Sequence, residues 1–349
     1  MSSLAVAVVL GGTNEERNVS LASGRAVVEA LRARGHAVVA VDPAHGVIPP
    51  EEETRMLGGA VGVDPPGLDE LARLGSSAVG AALAELPALR HADVVFLALH
   101  GEDGEDGKVQ ALLDMADLVY TGSGCIGSAI AFDKRVSKEL LVHADVPTPA
   151  WTPRGMKAAD VLDVLGLPLV VKPSNGGSTV GLSVVHAPEE LQPALDLAAR
   201  YDADVLCERF IPGRELTVAL LDGEPLPAVE IIPSHEIYDY ECKYTPGMSR
   251  YEVPARLDPD QAAGIAELAV RAGVALRQEC YSRIDFRRHA TDGSLWCLEA
   301  NSLPGLTATS LVPKAANAAG IGFPELCERI ALAALERSSA SGGRWPDRG

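Results

Sequence analysis

The sequence predicts an α/β protein that opens with a doubly wound parallel sheet, and three observations predict it. Val6 to Leu10 is a near-continuous apolar run that stops at Gly11-Gly12, the pattern of a strand covered on both faces. The stretch 20–34 places Val27, Val28 and Leu31 on one helical stripe, with Gly35 just past its end. Val38 to Val41 then reads as a second strand and completes a βαβ unit. The chain has 349 residues, 47% hydrophobic and 22% charged, enough for two or three lobes with a proper core.

Residues 46–80 are rich in Gly, Pro and acids and read as an elaborated loop with a short helix. Val94 to Leu99 is a fully apolar strand ending at His100-Gly101. Loops after the carboxyl ends of such strands form ligand crevices, so Glu15, Glu16 and His100 share one rim. The turn Tyr120-Thr-Gly-Ser-Gly124 closes this lobe, and a helix carrying Lys134, Arg135 and Lys138 follows. Leu169 to Lys172 and Leu182 to Val185 are strands bracketing Pro173-Ser-Asn-Gly-Gly-Ser-Thr179. Small residues there let backbone N–H groups approach a phosphate that Lys172 would neutralise. A plain hairpin is the alternative, and neither a Walker A loop nor the dinucleotide G-x-G-x-x-G pattern is present. An amphipathic helix at 188–200 leads to a strand at 205–208, and the rest is strand-rich, then helical. A Ser/Gly-rich tail is expected to be disordered.

The sharpest chemical signal lies at 281–301. Tyr281 to Arg287 and Leu295 to Asn301 read as strands joined at Thr291-Asp292-Gly293, an Asp-Gly hairpin signal. A register centred on Asp292 sets Asp285 opposite Glu299 and Arg283 opposite Asn301, all on one face. Ile284, Phe286, Leu298 and Ala300 then take the buried face. Two carboxylates and an amide oxygen on one face call for a cation, and oxygen-only donors suit Mg²⁺. The plain alternative is a solvated face neutralised by Arg283. Tyr238-Asp-Tyr-Glu-Cys-Lys243-Tyr244 interleaves charge with aromatic rings, which suits a lid better than a core. His36, His45, His143 and His235 show no partner spacing and are expected at the surface or at caps.

A net charge of −18 argues against nucleic acid or an anionic membrane as partner. Six cysteines are scattered without metal-ligand spacing, and Cys207, Cys280 and Cys297 read as buried thiols. The start lacks a cationic signal-peptide region, and no apolar run is long enough to span a bilayer, so a cytoplasmic protein is expected.

Together these segments resemble the D-alanine–D-alanine ligase family of ATP-grasp enzymes. The likeness runs from Leu10-Gly-Gly-Thr and Glu16-Arg17-Asn-Val-Ser20 through Ala98-Leu-His100-Gly, Gly104-Glu-Asp-Gly107, Asp133-Lys134 and Lys172-Pro, to Ser310-Leu311-Val-Pro. It implies a three-lobed ATP-grasp architecture: a substrate lobe at 1–122, a central lobe at 123–209, a metal-binding lobe at 210–336 and a tail at 337–349. The activity implied is joining of two D-alanines at the expense of ATP, through an acyl phosphate, for peptidoglycan precursor synthesis. Two Mg²⁺ ions, replaceable by Mn²⁺, and a homodimer are implied with it. By motif, Lys134 and Lys172 would contact phosphates, Glu208 and Ile211 the adenine, and Glu215 the ribose. Asp285, Glu299 and Asn301 would hold the metal. Glu16 would bind the first ammonium with His100 nearby, while Ser178 and Tyr244 link to Glu16 and close the pocket. Lys243, Ser310 and Leu311 would hold the second carboxylate, and Arg283 and Gly305 would stabilise the oxyanion. The insertion at 46–80, Ser302 in place of the family's usual Thr, and Cys242 beside the substrate lysine depart from the pattern. A ligase for other amino acids and a non-catalytic nucleotide-binding regulator are the competing readings.

Overall fold

The computed structural model describes residues 3–58, 74, 80–177, 179–245 and 247–340. Most of the 46–80 insertion, Ser178 and the tail from 341 lie outside them. The first sheet contains β1 (Ala5–Val9), β2 (Ala37–Asp42), β3 (Gly46–Ile48) and β4 (Val94–Leu97), in the order β3-β2-β1-β4. β1 pairs in parallel with β2 and β4, while β3 is an antiparallel edge in a stretch that sequence alone renders as loop. Helix α1 (Arg17–Ala33) crosses from β1 to β2 and starts a turn earlier than its apolar stripe suggests. The reason is electrostatic. Arg17 turns inward to Asp42, 2.6 Å away, so a charged residue opens the helix from a buried position. Helices α2 (Pro50–Leu57), α3 (Ala81–Ala84), α4 (Pro87–Arg90), α5 (Glu102–Glu105) and α6 (Lys108–Met115) complete this part.

Helices α7 (Cys125–Phe132) and α8 (Lys134–His143) follow. The second sheet is small and wholly antiparallel: β5 (Leu169–Pro173), β6 (Ser183–Val185) and β7 (Val205–Arg209), in the order β6-β5-β7. It packs on α9 (Ala158–Leu165) and α10 (Leu191–Ala198) through Val161, Leu169, Val171, Leu191 and Cys207.

The third sheet holds β8 (Gly213–Leu221), β9 (Glu224–Pro225), β10 (Val229–Pro233), β11 (Ser249–Glu252), β12 (Tyr281–His289) and β13 (Leu295–Asn301). Its order is β11-β10-β8-β12-β13, with β9 on β8. Between β10 and β11 lies the short helix α11 (Tyr240–Tyr244), and α12 (Pro259–Ala275) starts from an Asp258–Gln261 capping box. Helices α13 (Leu311–Ala318) and α14 (Phe323–Ala340) end the described chain, so residues 337–340 are helical instead of belonging to a tail. Ile284, Phe286 and Ala300 bury one face of this sheet against α8 and α12. Leu326, Cys327 and Ile330 of α14 return to the first sheet and share a core with Val8, Leu31 and Phe96. At that seam His36 is buried, not superficial, with Nε2 3.1 Å from Glu328. No described helix is long and apolar enough to cross a membrane.

Candidate active site

The hairpin β12–β13 sets Arg283 opposite Asn301 and Asp285 opposite Glu299, the pairing that a register centred on Asp292 predicts. A bulge then interrupts the ladder, and Phe286 pairs with Cys297. This corrects one expectation. The extra residue turns Leu298 out of the core and onto the ligand side, while Cys297 takes the inner place with no exposed surface. Asp285 is held on three sides: bidentate by Arg283 at 2.8 Å, by Thr217 Oγ1 at 2.6 Å and by Asn301 Nδ2 at 3.0 Å. Burial, the largest single effect, would raise its carboxyl, but Arg283, Thr217 and Lys243 together outweigh it and hold the group below the usual carboxylate range. Because Asn301 donates through its nitrogen, its oxygen is left available to a cation. The donor set fits a hard ion such as Mg²⁺.

One cavity opens on this face. Its lining includes Lys134, Lys172, Glu208, Ile211, Glu215, Asp285 and Glu299. Asp133 caps α8 by accepting from Arg135 N and Val136 N at 3.0 and 3.1 Å, which fixes Lys134 at the first turn. Lys134 Nζ donates to Gly176 O at 2.6 Å and stands 3.8 Å from Glu299. Burial lowers its pKa, and Glu299 opposes that effect. Two buried lysines grip Glu208: Lys172 at 2.5 Å and Lys138 at 2.7 Å. Burial pushes Glu208 up, but the two ammonium groups win and hold it at about 2. At the far end Arg287 lies 3.3 Å from Glu215, donates to Ile211 O at 3.0 Å and stacks 5.1 Å from the Phe210 ring. Burial raises the Glu215 carboxyl despite Arg287.

A second cavity adjoins the first. Glu16, His100, Lys243, Asn301, Gly305, Ser310 and Leu311 line it. His100 is pinned from both sides, with Nδ1 3.1 Å from Leu303 O and Nε2 3.0 Å from Ser23 Oγ. A carbonyl only accepts, so Nδ1 carries a proton and Nε2 accepts from the serine hydroxyl when the ring is neutral. Gly101, at φ +74°, leaves room for Glu16: a Cβ there would stand 3.0 Å from Glu16 Oε2 and 2.9 Å from Asn14 Nδ2. Ser310 is the N-cap residue of α13, which puts the Leu311 N–H among the unpaired donors of that helix start. Its Oγ would lie 3.0 Å from a Cβ at Gly305, so glycine keeps that corner open.

The two cavities share Gly177, Tyr238, Lys243 and Arg283. The structure therefore brings together every expected site residue except Ser178, which lies outside the described residues, and Tyr244, whose side chain does too. Arg283 is engaged with Asp285, so the salt-bridged face and the metal-type face are the same face. Three residues escaped the sequence reading. Lys138, one helical turn from Lys134 on α8, is fully buried against Glu208. Glu105 joins Glu16 in the second cavity, 3.8 Å from His100, and its place in Gly104-Glu-Asp-Gly107 was the available signal. Lys314 lines the same cavity over the Tyr251 ring at 4.6 Å, and nothing in the sequence marked it.

Comparison with known proteins gives the family. Residues 5–123 match the family model for the D-ala D-ala ligase N-terminus and residues 146–331 that for its C-terminus. A D-alanine–D-alanine ligase from Gloeobacter violaceus is 43% identical over 331 residues, covering 93% of this chain and 97% of the relative. One from Syntrophotalea carbinolica is 40% identical over 334 residues, covering 95% and 96%. The solved D-alanine–D-alanine ligase of Bacillus anthracis complexed with ATP superposes with a TM-score of 0.75 at 29% identity, over 98% of this chain and all of that one. The chain belongs to the D-alanine–D-alanine ligase family.

Proposed function

We propose that the protein joins two D-alanines to D-alanyl-D-alanine, converting ATP to ADP and phosphate, to supply peptidoglycan synthesis. The observation that carries this reading is the pair of adjoining cavities meeting at Lys243 and Arg283. A phosphoryl donor in the first and an amino acid in the second would face each other across that junction. ATP lies along Glu215, Ile211 and Glu208, with its phosphates toward Lys134 and Lys172. Asp285, Glu299 and Asn301 would hold two Mg²⁺, which would supply charge neutralisation on the transferred phosphoryl group.

Glu16 binds the first ammonium, and Ser178 and Tyr244 close over it. The first carboxylate oxygen attacks the γ-phosphorus and ADP leaves. Lys243, Ser310 and the Leu311 N–H orient the second carboxylate. The second amine, having lost a proton, attacks the acyl carbon, and phosphate departs with the C–O bond electrons. Arg283 and the Gly305 N–H stabilise the oxyanion between these events. The 235–245 segment excludes water, which would otherwise hydrolyse the acyl phosphate. Three working lobes at 1–122, 123–209 and 210–336, a cytoplasmic location and a homodimer complete the proposal.

The test is phosphate release from ATP and Mg²⁺ across D- and L-amino acids and D-lactate, with mass detection of product. D-alanine-dependent release with a D-alanyl-D-alanine peak is expected. Release only with another amino acid would replace the substrate assignment.

A further inference from the structure

The segment between β10 and β11 carries donors that the ligase reading leaves unused. One ligand atom each from His235, Asp239 and Cys242 lie within 4.8 Å of one another. Among the described residues no other three His, Cys, Asp or Glu side chains come so close. Asp239 holds the set together. Its Oδ2 accepts from His235 Nδ1 at 2.7 Å, and its Oδ1 accepts the Cys242 N–H at 2.9 Å, capping α11.

An imidazole nitrogen, a carboxylate oxygen and a sulfur suit a borderline-soft ion of tetrahedral habit. They contrast with the oxygen-only set at Asp285, Glu299 and Asn301, which a hard ion prefers. Zinc bonds of about 2.0–2.3 Å place tetrahedral ligands roughly 3.5 Å apart, so the trio needs to contract by only about an ångström. Access and position are both favourable. His235 is 39% exposed, whereas Cys242 is buried and lines the amino-acid cavity beside Lys243.

We propose that His235, Asp239 and Cys242 bind one Zn²⁺, with water as fourth ligand, and that this ion pins the 235–244 segment against the amino-acid cavity. Binding exchanges bonds without electron transfer. The Cys242 thiol proton leaves to solvent and its sulfur bonds the metal. The proton that His235 Nδ1 donates to Asp239 moves by way of solvent to Nε2, and the Nδ1 lone pair and Asp239 Oδ2, both released from that hydrogen bond, bond the ion.

Co²⁺ alone, titrated into the Mg²⁺-free full chain, reads the site directly. A cobalt–thiolate bond gives a near-ultraviolet charge-transfer band that carboxylate-bound cobalt lacks. The expected result is a saturable band that Zn²⁺ displaces, that Asp285→Asn keeps, and that both Cys242→Ser and His235→Gln lose. His235→Gln changes an exposed side chain outside both cavities, which guards against misreading a folding defect. Absence of the band, its survival in the two cluster variants, or its loss in Asp285→Asn would overturn the proposal.

Discussion

Replacing Lys138 by Met tests how the charge cluster behind the nucleotide-type cavity works. Glu208 is gripped by Lys172 at 2.5 Å and Lys138 at 2.7 Å, all three buried. Burial opposes ionisation, yet the lysines hold the carboxyl at about 2 instead of 4.5. At about 1.36 kcal/mol per pH unit that gap corresponds to about 3 kcal/mol. Both lysines share that gap and burial lowers the pKa of Lys138 itself, so losing Lys138 alone falls at the low end of the roughly 3–5 kcal/mol that breaking a buried ion pair costs. Methionine keeps the length of the lysine stem without its charge. Urea unfolding near neutral pH should therefore show Lys138→Met less stable by about 3 kcal/mol. The sign follows from linkage: a depressed folded pKa gives stability that is complete above the ordinary carboxyl value. That stability is lost as pH falls from 4.5 toward about 2, so wild type and variant should converge over this window. Glu208→Gln added to Lys138→Met should recover most of the loss. If Lys138→Met costs as much in the Glu208→Gln background, the lysine acts through packing on Trp151 and its bonds to Thr148 and Pro149 instead.

Other outcomes follow from the same contacts. Asp285→Asn removes a carboxylate and leaves Arg283 unpaired; turnover should vanish while calorimetry still detects metal-free nucleotide binding, and near-normal turnover would refute the metal assignment. Burial, opposed by His100 and aided by Glu16, raises the Glu105 carboxyl, so its stabilising contribution is complete below 4.5 and lost as pH rises through the raised value. Urea melts from about pH 4 to 8 should show Glu105→Gln gaining on the wild type as pH rises; parallel curves would contradict this. Gly101→Ala forces a side chain into φ +74° beside Glu16, and should cost about 1–3 kcal/mol and raise the KM of the first amino acid more than that of ATP. Lys243→Ala should raise the KM of the second amino acid chiefly; an effect confined to ATP would refute its placement.

The metal-type hairpin was legible because strand periodicity and repelling carboxylates carry the same message. Asp285 and Glu299 had to share a face, and a shared face of like charge demands a cation. The bulge at Leu298 was not legible, since an added residue leaves composition and local propensity unchanged. Partnerships across the chain were hidden for a different reason. His36 and Glu328 are 292 positions apart, and only the return of α14 to the first sheet makes them neighbours. Helical spacing placed Lys138 one turn from Lys134, but its burial depends on β7 bringing Glu208 over it. The short edge strands β3 and β11 carry too few residues to stand out from turns.

The return of α14 has a consequence for how the chain is made. β1 and α1 leave the ribosome long before α14, yet part of the core they share is supplied by Leu326, Cys327 and Ile330. At about 5–20 residues per second, synthesis of the roughly 290 residues between α1 and α14 takes about 15–60 s. During that interval the apolar groups that Leu326, Cys327 and Ile330 go on to cover stay exposed, a natural client surface for a chaperone. Nascent chains stopped before α14 should be sensitive to protease around β1 and α1, and emergence of α14 should restore protection there.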